Sequence, residues 1–306
     1  MNQIKKSIEC LGTIIEITIN DERNDSYIEE KIVEAFQEAQ RIEKEFSRFI
    51  KGNQLFTLNN SLNTWTQVSD ELFFLIQKSE EIKERTKGAF DIQVKEVLDE
   101  LGYHSAPSFI PTSSVIPAKA GIHPHTETDK TPYQIVLDKK QKALTTSPID
   151  LGGIGKGYAV DRMKEILKEF ENICINAGGD IFVQGYAANK EPWKIAFEHP
   201  TDTSMAIGEV ESAFGFFASS NAQRRKWGEN NHHLINPQTK IPAKNMLAVY
   251  IQGTNGIEVD AYSTALFVMG FKKAQNILHA LPVKAMIIDM KGIIFRSKEF
   301  KGELFN

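Results

Sequence analysis

The run DLGGIGKGYAVD, Asp150 to Asp161, places Gly152, Gly153, Gly155 and Gly157 between a strand-like segment and a helical one. Glycines at such a junction let backbone N–H groups approach phosphate oxygens, and the helix N-terminus adds a favourable dipole. The spacing is not that of the Rossmann fingerprint. Lys156 is followed by Gly157 rather than Ser or Thr, so the run is not a P-loop either. It is a phosphate cradle of another kind or merely a tight turn. In EVDAYSTALFVMG, Asp260 and Thr264 stand four apart at the start of a helical stretch expected over 260 to 269, which puts a carboxylate and a hydroxyl on one face. Hard oxygen donors with few carboxylates suit Mg2+ that substrate phosphates also hold. An N-cap aspartate beside a solvated threonine is the other reading.

His232 and His233 lie in the loop-like stretch NNHHLINPQTKIPA. A histidine there could take a proton from an acceptor hydroxyl near neutral pH, or the two could be an ordinary surface pair. Ser219-Ser220-Asn221 with Arg224 and Arg225 adds small polar groups and two cations. Either arginine could face a phosphate or be a plain surface charge.

These residues need elements to hold them. Alternation over about residues 8 to 19 predicts a first strand. Asp25-Ser26 opens a helix, with Ser26 and Glu29 in capping-box spacing and Ile28, Ile32, Phe36, Ala39, Ile42 and Phe46 at helical intervals. A second helix begins near Ser69-Asp70, with Leu72, Leu75, Ile76 and Ile82 on one side, and stops at Lys87-Gly88. A strand near 134 to 138 precedes the glycine run, and the helix after it has Val160, Met163, Leu167 and Phe170 as its stripe. NICINAGGDIFVQG and WKIAFEHP read as strands, the first broken at Ala177-Gly178-Gly179. The tail alternates: a strand at 246 to 252, helices at 260 to 269 and 271 to 280, then VKAMIID and GIIFRS as a hairpin. Helices and strands mix without a regular βαβ rhythm, so the expected class is α+β with largely antiparallel sheets and packed helices. Residues 105 to 133 differ from their surroundings: Pro, Ser, Thr and His crowd together without a period, which predicts a loop insertion into one domain spanning 1 to 306. Its core SVIPAKAGIH resembles translated genomic repeat elements, and His123 and His125 are metal ligands or incidental residues of the insert.

The 306 residues are 41% hydrophobic and 25% charged, ordinary for a globular chain that needs no staples. A net charge of -4 gives no case for nucleic acid, and an acidic chain that binds an anionic ligand must build a local positive site or borrow a metal. The two cysteines, Cys10 and Cys174, lack metal-ligand spacing and are expected as buried thiols. Glu9 and Glu16 interrupt the apolar N-terminal stretch, which fits a strand rather than a signal peptide. No run approaches the ~20 apolar residues that span a bilayer. A cytoplasmic setting is the expectation.

Taken together, the motifs resemble the FAD:protein FMN transferase family, also called the ApbE or thiamine-biosynthesis lipoprotein family. The resemblance runs from about Leu11 to residue 295: LGT at 11 to 13 where the family has MGT, FSRF at 46 to 49, Asn59, GAFDI at 88 to 92, the glycine run, NAGGDI, HLINPQTKIP with Lys240 where glycine is usual, and VDAYSTALFVMG. It implies that Ala89, Phe90, Asp91, Asp150 and Lys156 contact FAD, with Leu11 and Phe49 lining the flavin or adenine pocket. It implies Mg2+ on Asp260, Thr264 and the Gly153 carbonyl, with Ser263 as a further ligand, and His233 as the base. The implied reaction moves FMN from FAD to a Ser or Thr hydroxyl of a target flavoprotein and releases AMP. Within ASSNAQRR, Asn221 replaces a family glycine and Ala222-Gln223 replace an acidic-aromatic pair, a departure on the acceptor side. A hydrolase splitting FAD to FMN and AMP, and a flavin store without turnover, are the competing expectations.

Overall fold

The computed structural model describes residues 2–104, 134–138, 140, 142–223, 225–227 and 231–305. The expected insertion at 105–133, with His123 and His125, lies outside the described residues, as does Arg224. The expected first strand is two strands. β1 (Asn2–Cys10) and β2 (Thr13–Asp21) pair antiparallel, from Asn2 against Asp21 to Cys10 against Thr13. Leu11 and Gly12 turn between them with φ of 56° and 65°, the two positive values that a type I′ turn requires. Leucine seldom adopts such a φ, and a 2.7 Å hydrogen bond from its amide to Glu43 Oε1 holds it there. Apolar residues continue through the turn, so alternation alone does not reveal it.

Helix α1 (Asp25–Phe46) buries the six expected apolar residues, but its cap is Asn24, whose side chain accepts from the Ser26 amide, not Ser26 itself. Short α2 (Gln54–Asn59) and β3 (Thr66–Gln67) follow, then α3 (Asp70–Arg85), capped by Ser69 and ended by Thr86 and the left-handed pair Lys87-Gly88 as the sequence predicts. After α4 (Lys95–Glu100), β4 (Ile135–Leu137) and β5 (Lys142–Thr145) form a small antiparallel sheet with β3. Helix α5 (Gly155–Ile166) begins inside the glycine run. Next come β6 (Ile173–Ala177), β7 (Asp180–Gln184), β8 (Trp193–Glu198), β9 (Ala206–Ser212) and β10 (Phe214–Asn221). Two tiny hairpins, β11 (Lys226–Trp227) with β12 (Asn231–His232) and β13 (Ile235–Asn236) with β14 (Ile241–Pro242), carry the histidine stretch. The chain closes with β15 (Ala248–Gly253), α6 (Gly256–Met269), α7 (Phe271–Ile277), β16 (Lys284–Ile288), β17 (Ile294–Arg296) and β18 (Glu303–Leu304).

One eight-stranded sheet, ordered β1-β2-β6-β7-β10-β15-β16-β17, organises the molecule, and all its pairings are antiparallel. This is the α+β class that the mixed pattern predicts. One face presents Ile15, Ile17, Ile175, Phe182, Phe216 and Val249 to a core shared with the helices. α6 runs through that core and is buried nearly all round, which suits a helix with apolar residues on every side. The opposite face, with Val183, Phe217, Tyr250 and Met286, is covered by a second sheet, β18-β9-β8, through Trp193, Ile195, Phe197 and Val210. Helix α6 begins four residues before the expected start. Asn255 caps it through the Glu258 amide, and Asp161 of α5 accepts from the amides of Gly256 and Ile257, both at 3.0 Å. That second cap comes from another element and leaves no local signal. Among the described residues, no helix is long and apolar enough to cross a membrane.

Candidate functional site

The start of β2, the β6–β7 turn, the end of β10 and the N-terminal parts of α5 and α6 converge at one end of the main sheet. The segments 47–49, 89–94 and 150–156 complete the walls of a cavity of about 230 Å³. Eleven of the twelve residues named from the sequence line it: Leu11, Phe49, Ala89, Phe90, Asp91, Asp150, Gly153, Lys156, His233, Asp260 and Thr264. Ser263 is the exception. Its hydroxyl donates to the Asp260 carbonyl at 2.8 Å and lies 2.9 Å from Ser220 Oγ, so it braces α6 against β10 behind the cavity wall.

Asp260 is not an N-cap. It sits a full turn inside α6, is 3% exposed, and accepts from the Gly157 amide at 2.9 Å. The contact requires α5 and α6 to cross closely: a Cβ on Gly157 would stand 2.2 Å from the Gly256 carbonyl oxygen, and one on Gly256 2.4 Å from that of Gly157. Two glycines therefore bring the carboxylate to the start of α5. Lys156 Nζ lies 3.3 Å from Asp260 Oδ1 and is ion-paired with Asp180. Burial works against the Lys156 ammonium, but the two carboxylates outweigh it and raise its pKa above the ordinary lysine value. Burial, reinforced by Asp260, pushes the Asp180 carboxyl up to about 7 against the pull of Lys156. Asp180 was not singled out from the sequence; its place in NAGGDI, just after the β6–β7 turn, was the available signal.

Thr264 is one turn beyond Asp260, and a Cβ on Gly153 would lie 3.6 Å from its hydroxyl. A carboxylate and a hydroxyl on one face of α6 thus stand against the glycine loop. Among the described residues, no group of three or more His, Cys, Asp and Glu is placed to hold a metal. The hard oxygen donors here fit Mg2+ only if substrate phosphates supply further ligands.

The opposite wall is organised by Arg48, which sequence reasoning passed over as part of FSRF. Its side chain is 4% exposed and pairs with Asp150 and Asp99, each at 2.7 Å. It also donates to the Tyr103 carbonyl, and its guanidinium lies over the rings of Phe49 and Tyr103 at 4.5 and 5.0 Å. Asp150 also accepts from the Gly152 amide at 2.6 Å, which shapes the first turn of the glycine run. Asn59 does not line the cavity. It pairs with both backbone groups of Ile149 and so anchors the residue before Asp150. Asp91 is held by Lys83 at 2.9 Å.

The two histidines divide sharply. Both ring nitrogens of His232 are used, by the Ala243 carbonyl at 2.9 Å and the Leu234 amide at 3.2 Å. His233 has a hydrogen bond at the Arg225 backbone, while its buried Nδ1 has no partner among the described residues. Burial, then the Arg225 and Lys156 charges, hold its pKa well below the ordinary 6.5. It is therefore neutral at physiological pH, with a lone pair available. Arg225 lines the cavity too, so one of the two expected cations faces it.

A profile described as the ApbE family matches residues 11–287. The FAD:protein FMN transferase of Salmonella typhimurium is 28% identical over 261 residues, covering 80% of this chain and 73% of the relative. That of Haemophilus influenzae is 28% identical over 293 residues, covering 90% and 83%. Among solved structures, the ApbE protein of Thermotoga maritima superposes with a TM-score of 0.82 at 26% identity, covering 98% of both chains. The flavin transferase ApbE of Vibrio cholerae does so with a TM-score of 0.80 at 21% identity over the same share, a likeness of fold alone.

Proposed function

Because this chain belongs to the ApbE family, we propose that it is an FAD:protein FMN transferase that moves FMN from FAD to a Ser or Thr hydroxyl of a partner flavoprotein and releases AMP. We read the chain as one transferase domain interrupted at 105–133. The observation that carries the reading is His233 Nδ1, buried and without a hydrogen-bond partner among the described residues, in the same cavity as Asp260, Thr264 and the start of α5. A protein that only stored flavin would not need a neutral, desolvated base there.

Mg2+ would be held by Asp260, Thr264 and the Gly153 carbonyl, with Ser263 outside the set; when bound it offsets charge on the diphosphate and on departing AMP. Ala89, Phe90, Asp91 and Asp150 bind FAD, and Leu11 and Phe49 line its ring pocket. His233 Nδ1 takes the proton of the acceptor hydroxyl as its oxygen bonds to the FMN phosphorus. The bond from that phosphorus to the bridging oxygen breaks, and the bridging oxygen leaves with AMP. Lys156 and the amides at the start of α5 bear on the charge that accumulates around phosphorus.

Incubation with FAD, Mg2+ and an acceptor flavoprotein tests this directly. The acceptor should gain the mass of FMN less one water at one Ser or Thr, with AMP in equal amount, and EDTA should abolish both. AMP without a modified acceptor would mean a hydrolase, and no AMP at all a flavin store.

A further inference from the structure

The second sheet covers the main sheet unevenly. It packs over β7, β10, β15 and β16 and stops at β8, which pairs with β9 on one side only. Beyond β8 the same face of β2 and β6 is only partly covered: Thr18 is buried and Cys174 packs against the second core, but Ile14 is 46% exposed, with half-buried Glu16 and Asn176 beside it. A second cleft of about 280 Å³ runs between them, walled by Ile195 to Glu198 of β8 on one side and by β2 and β6 on the other. Its far end abuts the first cavity. Thr13, Gly178 and Ser219 line both. This partition is built of small residues. Gly178 and Gly179 take φ of 65° and 104°, and a Cβ on Gly178 would lie 2.0 Å from Thr13 Oγ1. Asn221, in the first cavity, donates to Glu198 in the second at 3.1 Å, so the stretch that departs from the family pattern stands on the boundary.

We propose that this cleft is the acceptor's entry. An extended, uncharged segment of the partner flavoprotein pairs with the outer edge of β8 and passes its Ser or Thr hydroxyl over the lip made by Thr13, Gly178 and Ser219. An edge strand offers a row of backbone donors and acceptors, which is how many domains take up an extended peptide. Alternate side chains of that segment would rest on Ile14 and Ile181, in place of water. The route is continuous with the cavity that holds the reacting phosphorus and leaves the FAD-binding walls untouched. This inference rests on the transferase reading above.

The probe is the acceptor flavoprotein of the Salmonella typhimurium relative. Ala196, on the exposed side of β8, and Ile14 project from the two walls. A196R and I14R should each raise KM for that acceptor about tenfold or more with kcat nearly unchanged, the mark of lost uniform binding. The FAD dissociation constant, read from flavin fluorescence, should not move. M290R, at the distant β16–β17 turn, should change neither quantity, and melting temperatures near wild type would show that the variants fold. A photoreactive residue at position 196 should cross-link to the acceptor segment that carries the modified hydroxyl. Unchanged acceptor KM in both variants, or cross-links confined to another part of the acceptor, would overturn the cleft while leaving the transferase intact. If the wild-type protein splits FAD but modifies no acceptor, the transferase reading fails and this inference falls with it.

Discussion

At the scale of single residues, the proposed chemistry rests on two side chains, Asp260 and His233. Asp260 accepts from the Gly157 amide and lies beside the Lys156 ammonium. D260N should abolish AMP release while some flavin binding remains; full activity of this variant at limiting Mg2+ would refute its role. His233 must be neutral. Its pKa is depressed, so the unprotonated base persists as pH falls through 6.5 and is lost only at lower pH. The acid limb of the kcat profile should therefore lie below pH 6.5, and H233A should slow transfer by ~100 to 10,000-fold with little change in FAD affinity. A limb at or above the ordinary histidine value would contradict the neutral base. H232A should instead lower the melting temperature, because it orphans the Ala243 carbonyl and the Leu234 amide, and equal kinetic losses in the two variants would point to a purely structural loop. Most of these residues were named from the family resemblance, since type and spacing alone left Asp260, Thr264 and the histidines with structural alternatives. Arg48 and Asp180 were not, since a buried charge is recognised only once its partners are in view.

At the scale of elements, periodicity located the helices and glycine located the turns, but caps from elsewhere in the chain moved the boundaries. The apolar stripe of α1 is as expected, whereas the start of α6 depends on Asp161 and the β1–β2 turn on Glu43. The crossing of α5 and α6 yields a sharp prediction. Alanine is normally better than glycine in a helix by ~0.5–1 kcal/mol, yet G157A would drive its methyl against the Gly256 carbonyl at 2.2 Å. Backbone cannot yield as a side chain tip can, so the crossing should open at a cost of ~1–3 kcal/mol and carry the Gly157 amide away from Asp260. Thermal melting and Mg2+ titration of FAD splitting should fall together. A stabilised G157A would mean that the helices are free to separate.

At the scale of the whole molecule, the site is assembled from segments between residue 11 and residue 264, so its parts are functional only when the main sheet is complete. The mixed order of helices and strands set the α+β class, but the uneven cover of the sheet could not be read from it, because β8 alternates like any strand whose two faces differ. Residues 105 to 133 stand apart from this assembly in sequence, without a periodic apolar face. Loop closure grows only slowly more costly with length. Replacing them with a short Gly/Ser linker should preserve folding and FAD splitting, checked by melting temperature and AMP release. A large fall in melting temperature would show that they pack on the body.

The ion pairs of Lys156 also bear on the order in which the protein matures. Many metal sites are clusters of like charge that repel until the ion arrives, so folding waits for metal. Here the chain brings its own cation: Lys156 stands between Asp180 and Asp260. If Mg2+ binds here as proposed, folding need not wait for it, and the ion can be loaded later and reversibly. Stripping with EDTA should silence the protein yet leave its melting temperature close to that of the untreated form, and returned Mg2+ should restore activity without a refolding lag.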